Sequence, residues 1–324
     1  MVAVINNQGG FYRTEVYVHE ARMSGAVIHN PCINKSEIET TLYGKNVYLG
    51  FMLLQGLQRE IALNIVQERL EGGDYLSLED FIKRVPIGIE GLQLLIYIGA
   101  FRCTGKNKNE LLVTARRIMM NFKPEHRQPQ LLPEPVREYK LPELKRSPFE
   151  DAFDEIELLG FPVSLTPFNL LKTRYRGDVM ARDLVQYHKK QVKMLAYLVS
   201  RKHVPTKMGA MYFGTWIDAS GEFFDTAHFT GSLKEYPFKG GGCYLLLGTV
   251  EVDYHFPTIT ISKMEKLPFI ADPRYRETEE ESTRTAQRLR EDVSMTHRAP
   301  YPQEQEIGLP RHKMNTVPTQ KKTG

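Results

Sequence analysis

Five prolines (Pro124, Pro129, Pro133, Pro135 and Pro142) stand among charged residues between positions 123 and 147. Each removes a backbone donor and fixes φ, so no helix or paired strand can run through this stretch. It reads as an extended linker, and the chain must build its cores on either side of it. Before it the pattern is helical. Residues 11–24 form a helix-like stretch that Gly25 ends, and Arg59 to Leu70 gathers Ile61, Ile65 and Val66 on one side. Ser77 with Asp80 is a capping signature for a short helix that Pro86 stops. Leu92, Leu95 and Ile96 mark another helix closed by Gly99, and Asn107 caps one reaching Asn121. After the linker, Ser147, Pro148 and Glu150 predict a capping box for a helix ending at Gly160.

From Val192 the hydrophobic period changes to two. Val192–Val199, Met211–Ile217, Glu222–Phe229, Tyr244–Val252 and Thr258–Lys266 read as strands, with Asp218-Ala219-Ser220-Gly221 as a tight connection. Five strands within about eighty residues fit a small barrel of the OB type. The expected fold class is therefore α+β and multidomain: a helical helix-hairpin-helix domain, then a five-stranded OB-type barrel. From Asp272 onward acidic residues, scattered prolines and little apolar periodicity predict a disordered tail. A net charge of +4 permits a nucleic-acid partner without requiring one. Cys32, Cys103 and Cys243 are far apart, odd in number and without a CxxC pair, which predicts neither a disulfide framework nor zinc and suits a reducing, cytoplasmic compartment. No apolar run is long enough to span a membrane, so no membrane partner is expected.

Gln55-Gly56-Leu57-Gln58 joins the segment Tyr48–Leu54 to the helix from Arg59. A glycine hairpin ahead of a helix N-terminus presents backbone N–H groups and partial positive charge to a phosphate. Such contacts hold duplex DNA without reading its bases. Gly56, Leu57, Gln58 and Arg59 are the expected contacts, with Arg69 nearby and Gly88 in a second hairpin after Pro86. An ordinary helical connection uses the same residues. Arg102, Lys106 and Lys108, followed by Arg116 and Arg117, form a basic stretch that either attracts phosphate or solvates an exposed helix.

The barrel strands carry Tyr212, Phe213, Trp216, Phe223, Phe224 and Phe229, with Lys202, Lys207 and Lys234 in adjoining segments. Aromatics interleaved with lysines stack unpaired bases while the amines follow phosphate. Alternation sends about half of the aromatics inward. Tyr212 and Trp216 share a face, opposite Met211, Phe213 and Ile217, and are expected to face outward with Lys202 and Lys207 as single-strand contacts. In the linker, Gln128-Pro129-Gln130-Leu131-Leu132 can anchor through Gln128, Leu131 and Leu132 in a partner's pocket. The carboxylates Glu150, Asp151, Asp154, Glu155 and Glu157 fill the first turns of a helix, where the dipole favours them, rather than forming a two-metal site.

Together these blocks resemble the alpha subunit of bacterial DNA polymerase III, the C family of DNA polymerases. Phe11 to Glu15 with Tyr17 to Arg22 looks like the end of that family's fingers, and Pro31 to Ser36 like the segment after it. Leu49 to Arg69, Ser77 to Phe81 and Leu95 to Phe101 resemble its helix-hairpin-helix module. Glu157 to Phe161, Thr206 to Gly209, Met211 to Phe213 and Asp218 to Gly221 resemble the start and first hairpin of its OB domain. Gln58 departs from the usual glycine, Thr166-Pro167 from His-Pro, and Leu131-Leu132 from Leu-Phe.

The resemblance implies an end of fingers at 1–46, tandem helix-hairpin-helix at 47–122, a linker with a clamp-binding peptide at 123–147, a helical connector at 148–190, an OB domain at 191–271 and a tail at 272–324. It also implies partners: primer–template duplex, single-stranded template, a sliding clamp, and other replicase subunits or an N-terminal polymerase half. The family's phosphoesterase-like domain and its palm have no counterpart here. Mg²⁺ would belong to that palm, so this chain is expected to hold no cofactor and to extend no primer alone. The alternative is a self-standing helix-hairpin-helix/OB accessory protein of repair or recombination.

Overall fold

The computed structural model describes residues 1–7, 9–121, 147–206 and 209–275. The expected linker and tail therefore fall almost wholly outside the described residues. Two helices, α1 (Val2–Asn6) and α2 (Thr14–Met23), open the chain. A small sheet follows, formed by β1 (Val27–His29), β2 (Thr41–Tyr43) and β3 (Asn46–Tyr48), with β3 central, parallel to β1 and antiparallel to β2. Strands this short leave no alternation to read, so the sequence did not announce them.

Five helices build the first large core: α3 (Arg59–Gly72), α4 (Leu78–Arg84), α5 (Ile89–Tyr97), α6 (Lys108–Asn121) and α7 (Pro148–Leu159). Their ends follow local chemistry. Ser77 Oγ accepts the Asp80 N–H at 3.1 Å, and Asn107 Oδ1 accepts that of Glu110 at 2.8 Å. Ser147 and Glu150 form the predicted capping box, and Gly160, at a left-handed φ of 88°, closes α7. Ile65, Leu78, Phe81, Leu92, Leu95, Ile96 and Phe101 are fully buried here, and Leu158, Leu159 and Phe161 join them from the end of α7. Phe81 meets Tyr75 and Phe101 edge-on, with ring centroids 4.9 Å away in each case.

The second core is a closed barrel of β4 (Gln191–Thr206), β5 (Gly209–Asp218), β6 (Phe223–His228), β7 (Cys243–Asp253) and β8 (Phe256–Lys266), in the order β4-β5-β6-β8-β7. A short helix, α8 (Thr230–Glu235), lies between β6 and β7. This five-stranded Greek-key closure, with β6 and β8 parallel, is the OB arrangement. Met194, Leu198, Trp216, Phe224, Tyr244, Leu246, Val250, Ile259 and Ile261 fill it. The β5–β6 turn is organised by Asp218: its Oδ1 accepts the N–H groups of Ser220 (2.8 Å) and Glu222 (3.0 Å), and its Oδ2 that of Ala181 (2.7 Å). Helix α2 packs on the barrel. Val16 meets Val199 and Ile217, Tyr197 donates to Glu15 at 3.0 Å, and His19 Nε2 lies 2.8 Å from the Gly221 carbonyl.

One carboxylate joins four parts of the chain. Glu155 of α7, 1% exposed, accepts the N–H groups of Val163 (2.7 Å) and Ser164 (2.8 Å) and the Ser164 hydroxyl (2.9 Å) on Oε2. Its Oε1 accepts from Asn30 Nδ2 at 2.6 Å. Arg22 of α2 donates to the Val163 carbonyl at 2.8 Å. Burial pushes the Arg22 pKa down, and the Glu155 charge opposes that shift. Substituting Glu155→Ala strands these donors and removes the charge that faces the half-buried Arg22 guanidinium. It is expected to cost about 3–5 kcal/mol in urea unfolding, where an ordinary exposed charge costs little.

Candidate nucleic-acid interface

Both predicted hairpins are present, and they are neighbours. Gly56 has φ +83°, and a Cβ there would stand 3.2 Å from a Leu94 methyl of α5. A Cβ on Gly91, in the first turns of α5, would stand 3.4 Å from Ile61 Cδ1 of α3. The N-termini of α3 and α5 thus converge. Gln58 and Gly88 are their N-cap residues, both extended and without a side-chain cap. Converging uncapped amides form an anion-attracting surface. Glu60 and Glu90, exposed in the same first turns, oppose it. Exposed Arg59 offsets one of them, and Leu57 packs partly into the core. The Gln55 N–H donates to the Leu158 carbonyl at 2.8 Å and ties the hairpin to α7.

Several expected cations are engaged by partners within the chain, Arg69 and Lys108 largely covered and Arg102 at the surface. Arg69 is 9% exposed: its Nη1 donates to the carbonyls of Ile33 (2.8 Å) and Ser36 (2.7 Å), and its Nη2 pairs with Glu37 at 2.6 Å. It pins α3 to the preceding segment, and its guanidinium is occupied there rather than offered to solvent as expected. Arg102 donates to the carbonyls of Asn30 (2.5 Å), Gly99 (3.1 Å) and Pro31 (3.3 Å). Lys108 pairs with Asp154 at 2.7 Å and with Asp151, and Lys106 lies 3.8 Å from Glu110. Asp154 also receives Arg274 at 2.7 Å. The acidic helix is thus matched by cations from distant sequence, which spacing along the chain cannot show.

The barrel mouth corrects another expectation. Trp216 does share a face with Tyr212, but that face is the inner one. Trp216 is fully buried, its Nε1 donates to Thr226 Oγ1 at 2.7 Å, and a Cβ at Gly214 would come within 2.6 Å of its indole nitrogen. Tyr212 avoids the same burial because β4 and β5 run on as a hairpin past the mouth. It lies half-buried opposite His203, at 4.9 Å between rings. Phe238 plugs the mouth from the segment after α8: its ring lies 5.8 Å from Tyr212, 6.1 Å from Trp216 and 4.7 Å from His228. Exposed Arg201 extends over this group, 5.4 Å from the Phe238 ring and 5.9 Å from that of Tyr212. Exposed Lys202 pairs across the hairpin with Phe213, itself 42% exposed, while Lys207 lies outside the described residues.

Arg201, His203 and Phe238 escaped the sequence reading. The signal was present for the first two, since 201 and 203 alternate with 202 on a predicted strand extended by four residues. Phe238 sits in a loop, where no periodicity points to it. The clamp-type residues Gln128, Leu131 and Leu132 lie outside the described residues. Among the described residues no helix is long and apolar enough to cross a membrane.

Burial under Phe238 pushes the His228 pKa down to about 4 from 6.5. Between those values the unfolded chain takes up the proton and the folded barrel does not, so stability present above pH 6.5 is lost as pH falls towards 4. The loss is expected to approach roughly 3 kcal/mol. Urea titrations at pH 7 and pH 4.5 should show it, with a flatter profile in His228→Asn.

A helix-hairpin-helix motif family matches residues 25–111. An error-prone DNA polymerase of Mycobacterium bovis is 34% identical over 108 residues, covering 33% of this chain and 10% of the relative. One from Bdellovibrio bacteriovorus is 26% identical over 243 residues, covering 67% and 22% respectively. The DNA polymerase III subunit alpha of Staphylococcus epidermidis is 26% identical over 258 residues, covering 75% and 23%. The chain therefore spans no more than about a quarter of the length of these relatives. A deletion variant of the single-stranded DNA binding protein from Thermus aquaticus matches 26% of this chain and 43% of its own, at 15% identity and a TM-score of 0.23. The chain carries a helix-hairpin-helix motif region followed by an OB-type barrel, and it is similar in sequence to a segment of bacterial DNA polymerase III alpha subunits and error-prone DNA polymerases.

Proposed function

We propose that this chain is the DNA-handling portion of a bacterial DNA polymerase, with the barrel mouth holding single-stranded template and the paired hairpins steadying the duplex. In this reading the metal-bound acids of nucleotidyl transfer belong to sequence outside this chain. One observation carries the single-strand assignment. Arg201, His203, Tyr212 and Phe238 form a cation-and-aromatic group at the mouth of the barrel, with Lys202 and Phe213 on the opposite face of the same hairpin. Aromatic faces accept any base, and the cations follow phosphate without reading sequence. The hairpins contribute less, because Glu60 and Glu90 offset much of what the helix ends attract.

Fluorescence anisotropy with a labelled oligothymidylate tests this. Tyr212→Ala is expected to weaken binding about ten- to a hundredfold, as loss of one stacked base predicts. Arg201→Glu should also weaken it and flatten the dependence of log K on log salt by about 0.7. Unchanged affinity in both variants would remove the barrel mouth from the reading.

The sequence Gln128-Pro129-Gln130-Leu131-Leu132 supports a second contact, an extended peptide seated in the pocket of a sliding clamp. Replacing Gln128, Leu131 and Leu132 by alanine should abolish co-elution with a bacterial clamp while single-strand binding persists. Retained clamp binding would exclude this peptide as the anchor.

A further inference from the structure

Cys32 and Cys103 stand in two chain segments that are fastened side by side. The Ile33 N–H donates to the Ala100 carbonyl at 3.1 Å, Arg102 donates to the carbonyls of Asn30 at 2.5 Å and Pro31 at 3.3 Å, and Asn34 Nδ2 reaches Cys103 Sγ at 3.6 Å. Both thiols are free, Cys32 buried and Cys103 exposed, and they stand on these two fastened segments. Two neighbouring thiols, one of them open to solvent, are not needed to hold DNA. The buried Cys243 belongs to the barrel side of the chain.

We propose that Cys32 and Cys103 form a thiol–disulfide exchange site, which takes a small disulfide of the glutathione class and closes into a reversible disulfide. The hydrogen bond from Cys103 pulls the Cys32 pKa down to about 6, with help from the Asn34 backbone and the Arg102 charge and against the effect of burial. The pair therefore carries one thiolate at neutral pH, sharing the remaining proton. Cys103 is the sulfur an incoming disulfide can reach, and its bond to the Cys32 thiolate together with burial pushes its own pKa up, so the shared proton rests on Cys103. The Cys103 thiol passes that proton to the Cys32 thiolate as its sulfur attacks one sulfur of the small disulfide, forms a mixed disulfide and releases one small thiolate. Cys32 then loses its proton to solvent, attacks the Cys103 sulfur and expels the second small thiolate. Two protein thiols are oxidised by two electrons, and one small disulfide becomes two thiols. In a reducing compartment the pair rests as a dithiol, and an oxidising shift closes it. The closed bond covalently joins the segment at Asn34 to the junction between α5 and α6.

The test equilibrates the full chain in graded mixtures of reduced and oxidised glutathione, followed by acid quench, alkylation under denaturing conditions and peptide mapping. Two of the three thiols are expected to disappear together, leaving Cys243 alkylated and a Cys32–Cys103 linked peptide, with a higher Tm for the oxidised chain. Cys32→Ser should accumulate glutathione on Cys103 that is never displaced, and Cys103→Ser should leave Cys32 unmodified. If the native-sequence chain keeps all three thiols in fully oxidised glutathione, the proposal fails. It fails equally if only a lasting mixed disulfide at Cys103 is found, and this holds whether or not the serine variants fold.

Discussion

The buried carboxylate of Glu155 holds the architecture together. Its oxygens gather donors from Asn30, Val163 and Ser164, while Arg22 of α2 grips the carbonyl of the same Val163. A buried charge is tolerated only when its lone pairs are occupied and an opposite charge stands near. Here the donors come from the segment that follows β1 and from the turn that leads out of α7, and the opposite charge comes from α2. The turn continues into the barrel, and α2 also lies against the barrel through Val16 and Tyr197. One ionic centre therefore fixes how the helical core and the β barrel face each other. Dispersion between apolar surfaces alone is not directional enough to set that orientation.

Relative magnitudes decide which surface dominates in a DNA-handling role. A helix N-terminus contributes about 0.3–1 kcal/mol to an exposed anion, and a first-turn carboxylate of the same size opposes it. A base stacked on an aromatic contributes about 1–3 kcal/mol. The converging ends of α3 and α5, with Glu60 and Glu90 beside them, accordingly suit orientation of a strand delivered by something else. The mouth of the barrel, with Arg201 and Tyr212, suits capture.

Local signals were legible where the cause is local. The N-cap at Ser77, the capping box at Ser147, the end of α7 at Gly160, and the presence of all five barrel strands, though not the reach of β4 to Thr206, could be read from spacing, because each depends on neighbours within a few residues. The fates of Arg69 and Lys108 could not. Arg69 answers carbonyls at Ile33 and Ser36, and Lys108 answers carboxylates at Asp151 and Asp154. A cation's availability to DNA is a statement about its tertiary partners, and charge counted along a helix carries no information on them. Trp216 failed for a related reason. Period two assigns residues to a common face, but which face is the inside depends on how the sheet closes.

That same closure gives Tyr212 its character. It continues the inner row that begins with Trp216, one pleat beyond the point where the barrel can cover it. Beneath it Phe238 and Trp216 lie nearly parallel, at 18°, and the indole is fixed by its bond to Thr226. The half-buried Tyr212 ring, tilted at 51° to Phe238, is thus the outer member of an aromatic cluster whose lower members are held by the barrel. Ordering a free side chain on binding costs about 0.5–1.5 kcal/mol, and most of that cost has been met here by the folding of the barrel. In the proposed role, an OB mouth built this way would gain affinity for an unpaired base without any contact that depends on the base's identity, which is the property a template-handling surface requires.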